Sequence, residues 1–197
     1  VISMSAAISA CASSRHWTRA LSLLDVMRFA GVTPNVVSFN AAISVCDKCG
    51  QLQSVLSLMH EMRAVRLTMN EISFNTGMFA CEEDWNQAMS LFSEMREVGV
   101  TRSTLSFGAV MSACEKGTQW PCALSLFNEM RSVGMTPGMI CFNAGMSACV
   151  KGGQWETAMS MLAEMLSAGI LPDVYSFSAA ISACEKGVQW QRVGPLL

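Results

Sequence analysis

Residues 139–173 read Met139-Ile-Cys-Phe-Asn-Ala-Gly-Met-Ser-Ala-Cys149, then Val150-Lys-Gly-Gly-Gln-Trp155, then Glu156-Thr-Ala-Met-Ser-Met-Leu-Ala-Glu-Met165, closing on Gly169 and Pro172-Asp173. The same pattern fills the chain. Six of the nine cysteines, Cys11, Cys46, Cys81, Cys114, Cys149 and Cys184, are spaced 35, 35, 33, 35 and 35 residues apart. All five tryptophans, Trp17, Trp85, Trp120, Trp155 and Trp190, follow one of those cysteines by six residues, or by four at Trp85; Leu52 holds the equivalent place in the second copy. The units are therefore 1–35, 36–70, 71–103, 104–138, 139–173 and a partial 174–197, a single repeat array whose third member is two residues short in its Cys81-Glu-Glu-Asp-Trp85 turn. A fixed period of this length marks a solenoid, in which each unit buries its apolar face against its neighbours.

Each unit reads as two helices, so the fold class is all-α. Ser3, Ser38, Ser73, Ser106 and Ser176 stand where an N-cap would open the first helix, with Cys141 as the exception. An almost wholly apolar or small stretch follows, as from Phe39 to Cys46. Packing by neighbours on both sides explains that composition, and with it the 51% hydrophobic content. After a turn such as Lys116-Gly117 or Lys151-Gly152-Gly153, the second helix carries apolar residues at i, i+3, i+4 and i+7, as at Ala123, Leu126, Phe127 and Met130. Pro121 falls in its first turn, where a missing N–H is harmless. Gly31, Gly99, Gly134 and Gly169 end it, and Pro34, Pro137 and Pro172 prevent its continuation.

No membrane span is expected: the longest uncharged run, Ser132 to Val150, contains Gly134, Pro137 and Gly138 and crosses a unit boundary. A thiol recurring at one register of an apolar helix reads as a small core residue, and equivalent cysteines on packed helices would lie roughly 10 Å apart, beyond disulfide reach. An intracellular, reducing setting is the natural inference. Cys46-Asp-Lys-Cys49 is a lone CxxC with only His16 and His60 elsewhere, which argues against zinc or redox chemistry, and no metal site is expected. No nucleophile–base pair or phosphate loop is visible, so neither catalysis nor a cofactor is expected of these residues. The chain begins on the first residue of a unit and ends inside another, where Gly194-Pro195 would break the second helix. It is expected to be part of a longer protein or to carry a decayed last copy.

The blocks Val36-Val-Ser-Phe-Asn-Ala-Ala-Ile-Ser44, Ala88-Met-Ser-Leu-Phe-Ser-Glu-Met-Arg96 and Gly169-Ile-Leu-Pro-Asp173 resemble pentatricopeptide repeats of the P type. The 35-residue period distinguishes them from the 34-residue tetratricopeptide pattern. The Ala-Cys-Glu-Lys-Gly-x-Gln-Trp turn is similar to that of algal, especially dinoflagellate, members. The resemblance implies a right-handed α-solenoid of helix-turn-helix repeats whose first helices line a concave groove for single-stranded RNA, each unit reading one base with two or three side chains. It implies work on transcripts in a plastid or mitochondrion.

In this family the fifth and last residues of a unit face the base edge, and the second packs against the base faces. The implied base-specifying pairs are Ser5 with Asn35, Asn40 with Asn70, Asn75 with Ser103, Gly108 with Gly138, and Asn143 with Asp173; Ser178 has no partner in the chain. The implied base-packing residues are Ile2, Val37, Ile72, Leu105, Ile140 and Tyr175. An Asp173 carboxylate only accepts, which favours a ring N–H, whereas Asn35 and Asn70 also donate. With the family's pairing preferences, the expected order is adenine, a pyrimidine, cytosine, an unread base opposite the two glycines, then uracil. Met69 and Arg102 replace the proline expected before Asn70 and Ser103, which leaves the placing of those two residues open.

Lys48, Lys116, Lys151 and Lys186 recur at the thirteenth place of their units. They read equally as a ladder of phosphate contacts or as lysines at a helix C-terminus, favourable for the dipole alone. The net charge of −2 lacks the basic footprint of a strong nucleic-acid binder. Phe39, Phe74, Phe107, Phe142 and Phe177 offer base-stacking rings, but their helix favours core packing. The rival to RNA binding is a protein- or peptide-binding scaffold using the same face, and protein partners could accompany an RNA.

Overall fold

The computed structural model describes residues 2–13 and 15–187. The expected sixth-unit features at Trp190 and Gly194-Pro195 lie outside the described residues, as does Val1. Each sequence unit supplies a helix pair: α1 (Ile2–Ser13) and α2 (Trp17–Phe29), α3 (Val36–Lys48) and α4 (Leu52–Ala64), α5 (Glu71–Ala80) and α6 (Trp85–Glu97), α7 (Thr104–Lys116) and α8 (Trp120–Ser132), and α9 (Met139–Lys151) and α10 (Trp155–Ser167). Helix α11 (Val174–Lys186) opens the next unit. No strand occurs among the described residues, and the fold is all-α.

Two compact units are present, one of Val1–Cys81 with Gln87–Thr101 and one of Glu82–Asn86 with Arg102–Leu197. Within the first, α3 is flanked by α1 and α5 and packs on α4; within the second, α9 is flanked by α7 and α11 and packs on α8 and α10. The burial pattern follows. Helices α7 and α9 each bury eight residues, including Phe107, Val110 and Met111, and Phe142, Met146 and Cys149. Helices α8 and α10 bury only one stripe each, Ala123, Leu126, Phe127 and Met130, and Ala158, Met161, Leu162 and Met165. Each fully buried Phe, Leu or Met contributes about 1.5–3 kcal/mol. Phe39, Phe74, Phe107 and Phe142 are core residues with essentially no exposed surface. Phe142 meets Phe127 edge to face, ring centroids 5.1 Å apart.

The first helices start earlier than expected. Their N-caps are not Ser38, Ser73, Ser106 and Ser176 but the residues three places before, Asn35, Asn70, Ser103 and Asp173. Each cap accepts from the backbone N–H of its serine, and at Asn70, Ser103 and Asp173 the serine hydroxyl accepts from the cap's own N–H in return. Gly138 holds the place before α9 with the same extended backbone but no side chain. Asn70 and Ser103 adopt this geometry although Met69 and Arg102 stand where proline was expected.

Second helices end as expected. Gly31 has φ 71°, its N–H donates to the Arg28 carbonyl, and the Val32 N–H donates to that of Met27, a Schellman closure. In the second unit Arg66 makes the same turn with φ 57°, without glycine's freedom.

The turn glycines of the second compact unit have another cause. Gly117 and Gly152 have ordinary negative φ, −72° and −81°. A Cβ on Gly117 would lie 2.4 Å from Cδ1 of Trp85, and one on Gly152 2.0 Å from Cδ1 of Trp120. Each tryptophan therefore lies on the glycine of the following unit. Gly187 stands likewise against Trp155, at 2.6 Å.

The nine cysteines are free thiols. Burial pushes Cys46 up to about 11, Cys114 to about 12 and Cys149 to about 11, which disfavours the thiolate needed for redox or metal chemistry. Among the described residues no group of His, Cys, Asp and Glu is placed to hold a metal ion, and no helix is long and apolar enough to cross a membrane.

Candidate functional site

The last residue of one unit caps the first helix of the next, and that sets where the paired side chains lie. Asn143 sits on α9, half-buried, and Asp173 precedes α11. Asn143 Nδ2 donates to Asp173 Oδ1 at 3.0 Å, and the same Oδ1 accepts from the Ser176 N–H at 2.9 Å. One carboxylate oxygen is thus committed to holding the structure; Asp173 lines an open cleft, and its carboxylate has a second acceptor oxygen, Oδ2. That N–H, ahead of the Ser176 hydroxyl and the Asn143 amide, holds the Asp173 carboxyl below its ordinary 3.8, so it is an anion at neutral pH.

In the first compact unit Asn40 Nδ2 donates to Asn70 Oδ1 at 3.1 Å, and Asn70 Oδ1 accepts from the Ser73 N–H at 3.1 Å. The two sites differ in the atom left over, an amide Nδ2 that donates at Asn70 and a carboxylate oxygen that accepts at Asp173. Ser5 and Asn35 do not touch directly. Ser38 Oγ lies 3.0 Å from Ser5 Oγ and donates to Asn35 Oδ1 at 3.0 Å. Asn75 is buried and donates to Glu71 Oε1 at 3.3 Å on its own helix. Ser103 is occupied as a cap. Gly108 and Gly138 present no side chain, and Ile140 fills the space that a Cβ on Gly108 would need, Cγ2 standing at 3.1 Å. Ser178 is exposed on α11.

The cleft of about 700 Å³ in the second compact unit is lined by Ile140, Asn143, Ser147, Lys151, Asp173, Tyr175 and Ser178. Ile140 is 50% exposed and Tyr175 76%. Val37, Ile72 and Leu105, at the same register, are exposed as well. Large apolar side chains left in water at the start of helices whose later turns are buried make a surface fitted to flat apolar faces. The side chain of Ile2 lies outside the described residues.

The lysines divide. Lys116 pairs with Glu82 at 2.5 Å and Glu83 at 2.9 Å, and these carboxylates, Glu82 foremost, raise its affinity for its proton. Lys151 pairs with Glu115 at 2.7 Å and also donates to the Glu115 carbonyl at 3.2 Å; Lys186 donates to the Val150 carbonyl at 2.7 Å. Those carbonyls end α7 and α9, so the two lysines close the preceding unit's first helix at its negative pole. Lys48 is exposed and has no ion-pair partner among the described residues.

Two participants were not singled out as site residues from the sequence. One is Glu115, which holds both Lys151 and the hydroxyl of Ser147, at 2.8 Å, inside the cleft. The other is the serine at the third place of the first helix, Ser73 or Ser176, whose Oγ reaches back to the preceding unit's Asn40 or Asn143 at 2.7 and 2.6 Å. An alternation of cap-forming residue types three apart was its only sequence signal.

Known proteins share this repeat and its helix-pair fold. Models of the pentatricopeptide repeat match residues 37–66, 77–100 and 105–135; the pentatricopeptide repeat domain matches 1–49 and the PPR repeat family 137–186. Among solved structures, the pentatricopeptide repeat protein PPR10 in complex with an 18-nt psaJ RNA element is 25% identical, with a TM-score of 0.77 over 99% of this chain. The chain spans 29% of that protein. The pentatricopeptide repeat protein PPR10 from maize superposes at a TM-score of 0.71 over 98% of this chain and 28% of its own, at 19% identity. The PPR domain of Arabidopsis thaliana protein-only RNase P 1 in complex with tRNA gives 0.66 over 78% of this chain and 86% of that one, at 16% identity. No curated protein matches the sequence. The three repeat models together span most of the chain, and the solved structures show its α-solenoid fold: the chain belongs to the pentatricopeptide repeat family.

Proposed function

We propose that the chain binds single-stranded RNA sequence-selectively, about one base per helix pair. One observation carries the reading: Asn143 and Asp173 are held together in an open cleft between exposed Ile140 and Tyr175, with hydrogen-bonding capacity left over. A base sliding between the two apolar side chains would present its edge to that pair. The Asp173 acceptor suits uracil or guanine, the Asn70 donor an acceptor nitrogen, and the glycine pair no base in particular. The RNA partner of PPR10 supports the same assignment.

In this reading the hairpins act by occupancy and do no chemistry, although structural neighbours include protein-only RNase P enzymes; a labelled RNA incubated with the protein and Mg²⁺ should remain intact. The family resemblance supports a task in transcript processing or stability, and we propose a plastid or mitochondrion as its setting, which imaging of the tagged protein would test. The decisive experiment is a salt-titrated selection from randomised single-stranded RNA, with DNA and duplex controls. Enrichment of one base opposite Asn143–Asp173 and none opposite Gly108–Gly138 supports the reading. Absence of RNA binding at low salt, with capture of a peptide instead, replaces it by the protein scaffold.

A further inference from the structure

The serines at the third place of α5 and α11, Ser73 and Ser176, were expected only as caps. In the structure each is a buried bridge to the preceding repeat. Ser176 has no exposed surface. Its Oγ lies 2.6 Å from Asn143 Oδ1 and 3.0 Å from Asp173 Oδ1, and it accepts from the Asp173 N–H at 3.2 Å. Ser73, equally buried, repeats this at 2.7 Å from Asn40 Oδ1, 3.0 Å from Asn70 Oδ1 and 3.2 Å from the Asn70 N–H.

A hydroxyl has one proton, and the shorter contact in both copies goes to the asparagine of the preceding unit. That donation admits one sense of the amide. Turned over, Asn143 would set its oxygen against Asp173 Oδ1, two acceptors at about the present 3.0 Å separation, and the hydroxyl would lose its nearest acceptor. The hydroxyl thus keeps the carbonyl of Asn143 or Asn40 inward and its amino group toward the cap residue, which fixes the hydrogen-bonding pattern left for a ligand. Where the chain has no such pair the bridge is missing too. Beside Gly108 and Gly138 the serine is replaced by Cys141, whose thiol turns to the Thr104 carbonyl at 3.7 Å.

We propose that Ser73 and Ser176 are specificity-positioning residues: each sets the donor and acceptor sense of the reading pair of the unit before it, without touching the base. The proposal rests on the RNA-binding reading above. Its test uses the whole chain in competition binding with RNAs that differ only in the base opposite Asn143–Asp173. Ser176→Ala should reduce discrimination at that base by about three- to tenfold, the range of one neutral hydrogen bond. Discrimination opposite Asn40–Asn70 should stay as in the parent, and Ser73→Ala should give the mirror result. Ser176→Thr, which keeps the hydroxyl, should restore selectivity; Ser176→Cys, which keeps the size, should not. Melting temperatures are recorded alongside. A variant that binds every RNA more weakly with unchanged base ratios shows a cap and nothing more, and overturns the proposal. If Ser176→Ala does not fold, the threonine and cysteine variants decide by the same ratios. A parent chain that binds no RNA overturns the functional reading itself, an outcome separate from a parent that selects bases with or without the hydroxyl.

Discussion

Asn143 and Asp173, thirty residues apart in sequence, share a hydrogen bond of 3.0 Å in which the asparagine amide donates to the very oxygen that caps α11. The proposed reading pair is therefore assembled before any ligand arrives, and the ordering entropy of both side chains is already spent. Replacing Asp173 by Asn keeps the cap and the Asn143 bond and turns the remaining acceptor into a donor. The expected result is a switch of preference at that base from uracil towards cytosine, by about tenfold or roughly 1.4 kcal/mol, seen in competition with RNAs differing at that base alone.

The same substitution separates reading from stability. Asp173 is held below 3.8 in the folded chain, so its contribution is present above that value and is lost as pH falls through the lowered one. Thermal unfolding of the parent and of Asp173→Asn should agree closely at pH 7, since Asp and Asn cap about equally well. Toward pH 3 and below, the parent should lose more stability than the variant. Equal acid sensitivity of the two would sink this assignment.

Glu115 is expected to restrain RNA binding. It neutralises Lys151 in the cleft, whereas Lys48 stands exposed in the first compact unit. Glu115→Gln should strengthen binding and steepen its salt dependence, by a slope of about 0.7 if Lys151 gains one phosphate. Lys48→Ala should flatten the slope by about the same amount. Lys116→Ala, with Glu82 and Glu83 as its partners, should leave the slope nearly unchanged.

Gly152→Ala is expected to destabilise the chain by about 1–3 kcal/mol, as overpacking does. Its negative φ would welcome alanine, so the sign rests on Trp120 lying 2.0 Å from the added Cβ. Combining it with Trp120→Leu in a double-mutant cycle should recover part of the loss. Strict additivity in denaturant unfolding would show that the ring yields freely.

Arg66→Gly should stabilise the first compact unit by about 1 kcal/mol, because an L side chain is strained at positive φ. Arg66 is exposed, and its side chain makes no hydrogen bond or ion pair among the described residues. Chemical denaturation of the two proteins under identical conditions measures the difference.

The repeat, the helix pairs and the two burial patterns were legible because cysteine and tryptophan registers and apolar periodicity are local or strictly recurrent. The caps were displaced by three residues because Asn35 and Ser38, or Asp173 and Ser176, are both competent caps. The pair between them, half-buried Val36 with exposed Val37 or the exposed Val174 and Tyr175, makes the serine look like the start of the apolar run. Those two residues are helical but leave apolar surface in water, a choice that propensity does not reveal. The lysines could not be assigned from sequence, since Glu82, Glu115 and Val150 lie 34 to 36 residues before their lysines and meet them only when units stack. Gly117 and Gly152 read as turn formers, yet it is the preceding tryptophan that excludes a side chain there.

One residue at each unit boundary serves both as the proposed reader of a base and as the cap of the next helix. The vocabulary open to evolution at that place is then restricted by helix physics before recognition is considered. Asn, Asp, Ser, Thr and Gly cap a helix well, whereas Lys, Gln or an aromatic residue forgoes the side-chain cap at a cost of about 0.5–2 kcal/mol whatever base it favoured. The chain uses Asn35, Asn70, Ser103, Gly138 and Asp173, all within that short list, and Gly138 is its blank. Recoding a unit is thus also an edit to its neighbour's stability, and a graft that cuts the chain between units severs a letter from the helix it supports.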